Sequence, residues 1–321
     1  MSVQELAVVG DIGGTNARFA LVEPGSVELQ EIDVLACSDY PGLDHAFQHY
    51  LAKKQPGPVQ VASMAFACPV HEDLIQMTNN HWLFSKTAMQ QTLGLRVFKC
   101  INDFTAMALG VPHLMDQQLV KIGGDVGNPH SPRLVIGPGT GLGVSGLVKT
   151  STAWVPLATE GGHVDFAPVN ELQIAVFKNL SKRYKRISVE RLLCGEGLVN
   201  IYKALTNLHQ AEIKYGSPEG ISRGALEEQD PTAIATLELF CQVFGQVCGN
   251  AALTIGALGG VYICGGIIPR FLDFFIQSEF RNRFEDKGRM QGYMETIPVY
   301  VVTEKFTGLM GAAEAIANRE V

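Results

Sequence analysis

Apolar residues along this chain come in short strand-like runs punctuated by glycine, with helical spacing between them. Leu6-Ala7-Val8-Val9 is followed, across GDIGGTNA, by the alternating Arg18-Phe19-Ala20-Leu21-Val22. Strict alternation marks a strand with one buried face, while recurrence at three and four residues marks a helix. Residues 6–9 and 18–22 therefore predict a hairpin, and 27–36 a third strand. Helical spacing over 43–54 ends at Gly57-Pro58, and 61–67 is the near-continuous apolar run of a strand buried on both faces. Ser85 is placed to cap a helix through about Leu93. Residues 96–101 predict the next strand, which runs into Asn102-Asp103 and a helical 104–109.

A second unit begins near Pro112, and there Leu134-Val135-Ile136 leads into GPGTGLGVSGLV, residues 137–148. This stretch repeats the opening pattern: apolar strand, glycine-rich turn containing Gly-Thr, alternating strand. It is a weak internal repeat. Helices are predicted over 172–184, 189–205 and 232–258. GGVYICGGIIPRF, residues 259–271, predicts a strand, a Gly-Gly turn and a proline-initiated helix. A last strand at 298–302 leads to a helical 309–317. Strands alternating with helices make the chain α/β.

The first turn does not fit a dinucleotide fingerprint. Its glycines are Gly10, Gly13 and Gly14, the residues after them alternate, and there is no G-x-x-x-x-G-K-[ST]. Strand, tight glycine turn and strand fit better. Glycines reach positive φ without strain and let backbone N–H groups approach an anion. Asp11 would repel a bare phosphate, so its place in the turn suits a hydrated Mg²⁺. An ordinary hairpin remains open for one such turn. Two of them, with a third Gly-Gly turn at Gly265-Gly266, point to a nucleotide site shared by two related domains.

Composition narrows the partners. The chain has 321 residues, enough for two domains, and 46% of them are apolar. A net charge of −7 argues against nucleic acid or an anionic membrane as the main partner. No basic n-region or leader-like apolar segment stands near residue 1, and no uninterrupted apolar run approaches a membrane span. The seven cysteines have no CxxC or CxC spacing and mostly apolar neighbours, so buried free thiols in a reducing cytoplasm are expected.

Several residues carry two readings on spacing alone. Asp103 ends a strand where a site would open and could serve as a general base, but aspartate is also a favoured helix cap. Glu160 and His163 have Glu-x-x-His spacing, yet the two glycines between them work against a rigid helical metal site. Glu190 follows Ser188 and fits the first turn of a helix. Gly265-Gly266 fits a plain strand-to-helix turn as well as a ligand's close approach.

In their order these motifs resemble the bacterial ATP-dependent glucokinases of the hexokinase group, within the actin, hexokinase and heat-shock chaperone ATPase fold. The matching segments are GDIGGTNAR (10–18), ACP (67–69), MTNNHW (77–82), INDFTA (101–106), GPGTGLG (137–143), EGGHVDF (160–166), SVERLLCGEGLVNIY (188–202), GGVYICGGIIPRF (259–271) and FEDKGRM (284–290). They span nearly the whole chain. The CxCGxxGCxE zinc motif of the related ROK kinases is absent.

The resemblance implies a two-domain, ribonuclease H-like ATPase with an interdomain cleft. Residues 1–112 and 303–321 would form the small α/β domain and 113–302 the large α+β domain. It implies a cytoplasmic enzyme, with a homodimer suggested, that phosphorylates D-glucose to glucose 6-phosphate at the entry to glycolysis. Asp103 would be the general base, and Asn102, Asp103, Glu160, His163 and Glu190 would hold the sugar. The turn from Gly10 and Asp11 through Gly13, Gly14, Thr15 and Asn16, with Gly139, Thr140 and Gly141, would hold the ATP phosphates. Asp11 would position Mg²⁺, and Gly265 and Gly266 would lie against adenosine. Closure of the domains on sugar would exclude water. Another hexose or N-acetylamino sugar is an alternative substrate. A DNA-binding sugar sensor or a chaperone-like ATPase is disfavoured by the acidic charge and the polyol-binding set.

Overall fold

The computed structural model describes residues 5–321. They fall into two units. The first comprises the chain up to Gln118, Leu147–Ala158 and Glu304–Val321, and the second comprises Leu119–Gly146 and Thr159–Thr303.

In the first unit, β1 (Ala7–Ile12) and β2 (Asn16–Val22) form the expected hairpin, with Asp11 opposite Arg18. The third strand, β3 (Gln30–Ala36), starts later than its apolar pattern suggested. Residues before it are occupied by a turn in which Ser26 N–H donates to the Glu23 carbonyl at 2.9 Å. β4 (Val61–Phe66) is buried at every position, as its unbroken apolar run predicts. A small pair, β5 (Leu74–Gln76) and β6 (Leu83–Ser85), stands apart from the main sheet, and β7 (Val97–Asn102) completes that sheet. The order is β3-β2-β1-β4-β7, with β1, β4 and β7 parallel.

One face of this sheet packs Phe19 against Phe47 and Tyr50 of helix α1 (Leu43–Lys54), and in the same cluster Phe66 meets Phe84. Burying each such aromatic stabilises the fold by roughly 1.5–3 kcal/mol. Helix α2 (Lys86–Thr92) is capped by Ser85, as expected, whose Oγ accepts from Ala88 N–H at 3.1 Å. On the other face Ala7, Val9, Ala20 and Val22 meet Leu309, Ala312 and Ala313 of the C-terminal helix, Thr307–Ala317. That helix also lies against α3 (Asp103–Gly110), so closely that a methyl group on Gly311 would collide with the Ala106 carbonyl.

The second sheet has the order β11-β10-β9-β12-β13-β8, for β8 (Leu119–Gly123), β9 (Arg133–Pro138), β10 (Leu142–Lys149), β11 (Trp154–Ala158), β12 (Val261–Ile263) and β13 (Val299–Val302). Here β9, β12 and β13 are parallel, so a three-stranded meander followed by parallel strands recurs. The weak sequence repeat is therefore a repeat of topology.

Helices α4 (Glu171–Leu180), α5 (Gly195–Leu208), α6 (Pro218–Leu226) and α7 (Pro231–Ile255) build the rest of the second core. α7 is long and apolar because it is a core helix, with Leu237, Phe240, Cys241, Phe244 and Cys248 fully buried. Asp230 caps it by accepting from Thr232 and Ala233 N–H at 3.0 Å each, and Gly256 ends it at φ +66°. Two predicted helices are shorter. The one placed at 172–184 stops at Leu180, where the Ser181 hydroxyl turns back onto the Phe177 carbonyl at 2.8 Å. The one placed at 189–205 is a 3-10 turn, Val189–Arg191, followed by α5. The break falls at Cys194, which is extended and whose Sγ accepts from Gly197 N–H at 3.3 Å. The proline-initiated helix is a 3-10 turn, Ile268–Phe271, running into the short α8 (Leu272–Gln277).

Candidate active site

In the first unit the glycine turn joins β1 to β2. Gly13 N–H closes it by donating to the Asn16 carbonyl at 2.9 Å, so Gly13 is a turn-forming residue whose donor is already engaged. Neither Gly13 nor Gly14 has positive φ, contrary to the reason first given for glycine here. Close approach is the reason instead: a methyl carbon on Gly14 would lie 2.8 Å from Asn79 Cβ. Thr15 is the exposed tip, and Asn16 begins β2. Gly10 sits lower, buried within β1 between Phe19 and Met64, where it serves packing and not the turn surface.

Asp11 has a side chain only 13% exposed, and its carboxylate meets Arg18 at 3.2 Å. Burial raises its pKa, and the Arg18 charge and hydrogen bond pull it partly back. A mostly buried carboxylate with one cationic partner fits a magnesium ion that keeps most of its waters and takes other ligands from phosphate. Among the described residues no three His, Cys, Asp or Glu side chains gather to form an all-protein metal site.

Asn102 and Asp103 stand where β7 passes into α3, and the structure moves the cap by one residue. Asn102 Oδ1 accepts from Phe104 N–H at 2.9 Å and Thr105 N–H at 3.4 Å, making Asn102 the cap. Asp103 is the first residue of the helix, where the positive end of the helix dipole favours a carboxylate. Its Oδ1 accepts from Phe104 N–H at 2.9 Å. Asn102 Nδ2 is turned to the Cys68 carbonyl at 3.4 Å.

Beside Thr15 stand Cys37, Ser38, Asn79 and Asn80, to which the sequence alone gave no role. An open cavity of about 540 Å³ is lined there by Gly14, Thr15, Cys37, Ser38, Asn79 and Asn80. MTNNHW was the available signal. His81 Nε2 and Trp82 Nε1 both reach the Tyr40 carbonyl, at 3.0 and 3.1 Å, and so fix that segment.

In the second unit the turn Gly139-Thr140-Gly141 joins β9 to β10. Its first glycine again closes the turn, Gly139 N–H donating to the Gly141 carbonyl at 2.8 Å, and the threonine is again the exposed residue. Gly195 N–H, opening α5, donates to the Gly139 carbonyl at 3.0 Å. Glu190 lies in the 3-10 turn Val189–Arg191. Its Oε2 accepts from Leu142 N–H at 2.9 Å, and its Oε1 is 3.9 Å from His163 Nδ1. A methyl carbon on Gly141 would stand 2.5 Å from Glu190 Oε2.

Glu160 precedes a second 3-10 turn, Gly161–His163, and its carbonyl accepts from His163 N–H at 3.0 Å. Gly162 lets this segment press against the Leu142 carbonyl, where any side chain would collide. The structure thus brings the glycine turn, His163 and Glu190 to one end of β10, with Glu160 beside them in sequence. Arg186, not foreseen, holds the segment from the far side: its Nη2 donates to the His163 carbonyl at 2.6 Å and its Nε pairs with Asp165 at 2.6 Å.

Gly265 follows β12 with φ +93°, and its backbone passes the Pro138 carbonyl where a methyl carbon would be 2.7 Å away. Gly266 has open space around it. Beyond it Ile267, Arg270 and Phe271, with Leu198, Pro218 and Glu219, line a groove of about 230 Å³.

A model of the glucokinase family matches residues 8–319. The chain is 60% identical to a glucokinase of Hahella chejuensis over 321 residues, covering all of both chains, and 52% identical to a glucokinase of Marinobacter nauticus with the same coverage. Its fold is similar to the crystal structure of a glucokinase from an Antarctic psychrotroph, with a TM-score of 0.88 and 34% identity over 97% of this chain and 98% of that one.

Proposed function

The chain belongs to the glucokinase family, and from that premise we propose that it transfers the terminal phosphoryl group of ATP to the 6-hydroxyl of D-glucose. The observation that carries this reading is the convergence on β10: Glu190 binds the backbone beside a glycine turn and faces His163, with Glu160 three residues before that histidine. Carboxylates and an imidazole suit a neutral polyol and would repel a sugar acid or a sugar phosphate. We assign the repeated topology of meander and parallel strands to the actin-like ATPase class. We place the enzyme in the cytoplasm at the entry to glycolysis, where ATP is present and seven unbridged thiols are stable.

The steps follow from the groups available. Asp103 takes the proton of the sugar's 6-hydroxyl as the new P–O bond forms and the bond from the γ-phosphorus to the bridging oxygen breaks, releasing ADP, and it orients that hydroxyl for in-line attack. Asn102 has its carbonyl oxygen engaged in the helix cap, so Nδ2 is the group that donates to a sugar hydroxyl. The N–H groups of Gly14 and Thr15, those of Thr140 and Gly141, and the two threonine hydroxyls cradle the β- and γ-phosphates. Asp11 would hold Mg²⁺, which would offset the phosphate charge. Adenosine lies along Gly265-Gly266, the positions that tolerate close approach, with the groove at Ile267 beyond them.

The test is a coupled assay with MgATP and glucose, mannose, fructose or N-acetylglucosamine, on wild type and Asp103→Asn. Glucose turnover that falls on the order of 10²- to 10⁴-fold in the variant, with calorimetric glucose binding retained, is the expected result. No turnover of any of these sugars by the wild type would sink the reading.

A further inference from the structure

We propose that Asn200, a residue of α5 outside the sugar and phosphate sets, is a positioning residue that fixes Glu190 and thereby couples sugar binding to the turn 139–141. The inference rests on the function proposed above, because it takes Glu190 as a sugar ligand and the turn as a phosphate holder.

Asn200 is 3% exposed, and a buried amide needs partners for both its ends. Its Nδ2 donates to the Arg191 carbonyl at 3.0 Å, which ties the end of the turn Val189–Arg191 to the core helix. Its Oδ1 lies 3.3 Å from the Tyr184 hydroxyl, which is also 3.0 Å from Glu196 Oε1, and it accepts a longer contact from Arg183 Nη1 at 3.5 Å. The Tyr184 ring has the Arg183 and Arg191 guanidinium groups at 4.9 and 4.5 Å from its centroid. Arg191 is therefore held by its carbonyl and by its side chain, and Glu190 is its neighbour.

Glu190 has little freedom left, and each of its oxygens has a separate task. Oε2 is engaged with Leu142 N–H at the foot of the glycine turn, and Oε1 faces His163. A sugar hydroxyl that binds this carboxylate pulls on a group already bonded to the turn. By linkage, sugar then changes nucleotide affinity and nucleotide changes sugar affinity by the same factor. This coupling needs a rigid hinge behind Glu190, and Asn200 supplies it.

The experiment is calorimetric titration of a non-hydrolysable ATP analogue with Mg²⁺, in the absence and presence of saturating glucose. It uses wild type, Asn200→Asp, Tyr184→Phe, Thr206→Val and Glu190→Gln. Thr206 is the control: it is 1% exposed on the same helix, and its hydroxyl returns to the Tyr202 carbonyl of that helix at 2.8 Å. Wild type should bind the analogue roughly 5-fold or more tightly with glucose present. Asn200→Asp should bring that ratio to about one and raise the glucose KM roughly tenfold, with analogue affinity in the absence of glucose unchanged. Thr206→Val should lower the melting temperature yet keep the ratio.

A wild-type ratio of one, or equal loss of the ratio in Asn200→Asp and Thr206→Val, would overturn the proposal. Should Asn200→Asp fail to fold, Tyr184→Phe decides: a diminished ratio supports the hinge, and a wild-type ratio refutes it. Glu190→Gln separates the two levels. Unchanged glucose affinity there refutes the assignment of Glu190 as a sugar ligand. Lost affinity there, with Asn200→Asp behaving as wild type, refutes the hinge alone.

Discussion

In the hairpin of β1 and β2, Asp11 faces Arg18 across neighbouring strands at 3.2 Å, so the turn at Gly13–Gly14 is braced by charges of its own sequence. The hairpin of β9 and β10 has no charged residue from Leu134 to Val148. Its brace comes from outside, from a carboxylate 48 residues further along the chain that accepts from Leu142 N–H. In each turn the first glycine closes the loop and a threonine is exposed, yet the neighbours differ. Asn79 crowds Gly14, whereas Glu190 crowds Gly141. One backbone device thus serves two tasks. The self-braced turn holds the carboxylate proposed for the metal, while the second answers to a carboxylate proposed for the sugar.

The largest expected effect tests the self-braced turn. Asp11→Asn keeps the shape and an acceptor for Arg18 but removes the negative charge. Its kcat/KM for MgATP should fall on the order of 100-fold, with a raised magnesium requirement. Stability should move the other way. Burial raises the Asp11 pKa in the folded state, so its protonated form is favoured there. The stability this gives is fully present below the ordinary carboxylate pKa and is lost as pH rises through the raised value. At neutral pH the asparagine variant should therefore match or exceed wild type, by about 1 kcal/mol, and the gap should close as the pH is taken down. Denaturant melts at neutral and acid pH check this, and a variant less stable than wild type at neutral pH would mean that the Arg18 pair outweighs desolvation.

A paired substitution of intermediate effect tests the difference directly. Gly14→Ala sets a methyl carbon 2.8 Å from Asn79 Cβ, and Gly141→Ala sets one 2.5 Å from Glu190 Oε2. Relieving such overlap costs roughly 1–3 kcal/mol. Gly14→Ala should raise the KM for MgATP and leave the calorimetric glucose Kd unchanged. Gly141→Ala should weaken both, because its obstacle is Glu190, the carboxylate proposed to bind the sugar. Equal effects on glucose from the two variants would erase the contrast between the turns.

That contrast marks the limit of what could be read from the chain alone. The strands were legible because alternation at 18–22 and the unbroken apolar run at 61–67 are local signals. The cap before α3 was misplaced by one residue because Asn102 and Asp103 are both good caps, and only the bonds to Phe104 and Thr105 N–H separate them. The helix placed at 189–205 was read through its break because Leu192, Leu193 and Cys194 suit a helix or a buried extended segment equally well. Helix α6 carried a start signal in Ser217-Pro218-Glu219, and Ser217 does cap it, but Gly220 and Gly224 obscured its period. Glu190 was found as a sugar candidate, while its bond to Leu142 could not be, since nothing in the local sequence reports a partner so far away.

The smallest expected effect concerns the point of likeness. Thr15 and Thr140 are the exposed residues of their turns, so each presents its hydroxyl at the turn's tip. Valine at either site keeps the branched shape and removes the hydroxyl. A hydrogen bond of this kind contributes about 0.5–1.5 kcal/mol, so each variant should raise the KM for MgATP roughly 2- to 10-fold, with little change in melting temperature. The β-branched replacement also keeps the backbone preference of the turn, so lost affinity reports the hydroxyl itself. If both turns hold phosphate, the two losses should be alike and the double variant should show their product, because no residue is shared between them. If only Thr15→Val weakens MgATP, the second turn does not carry a phosphate-binding hydroxyl. Its similarity to the first would then be one of backbone form, with its chemistry confined to Glu190.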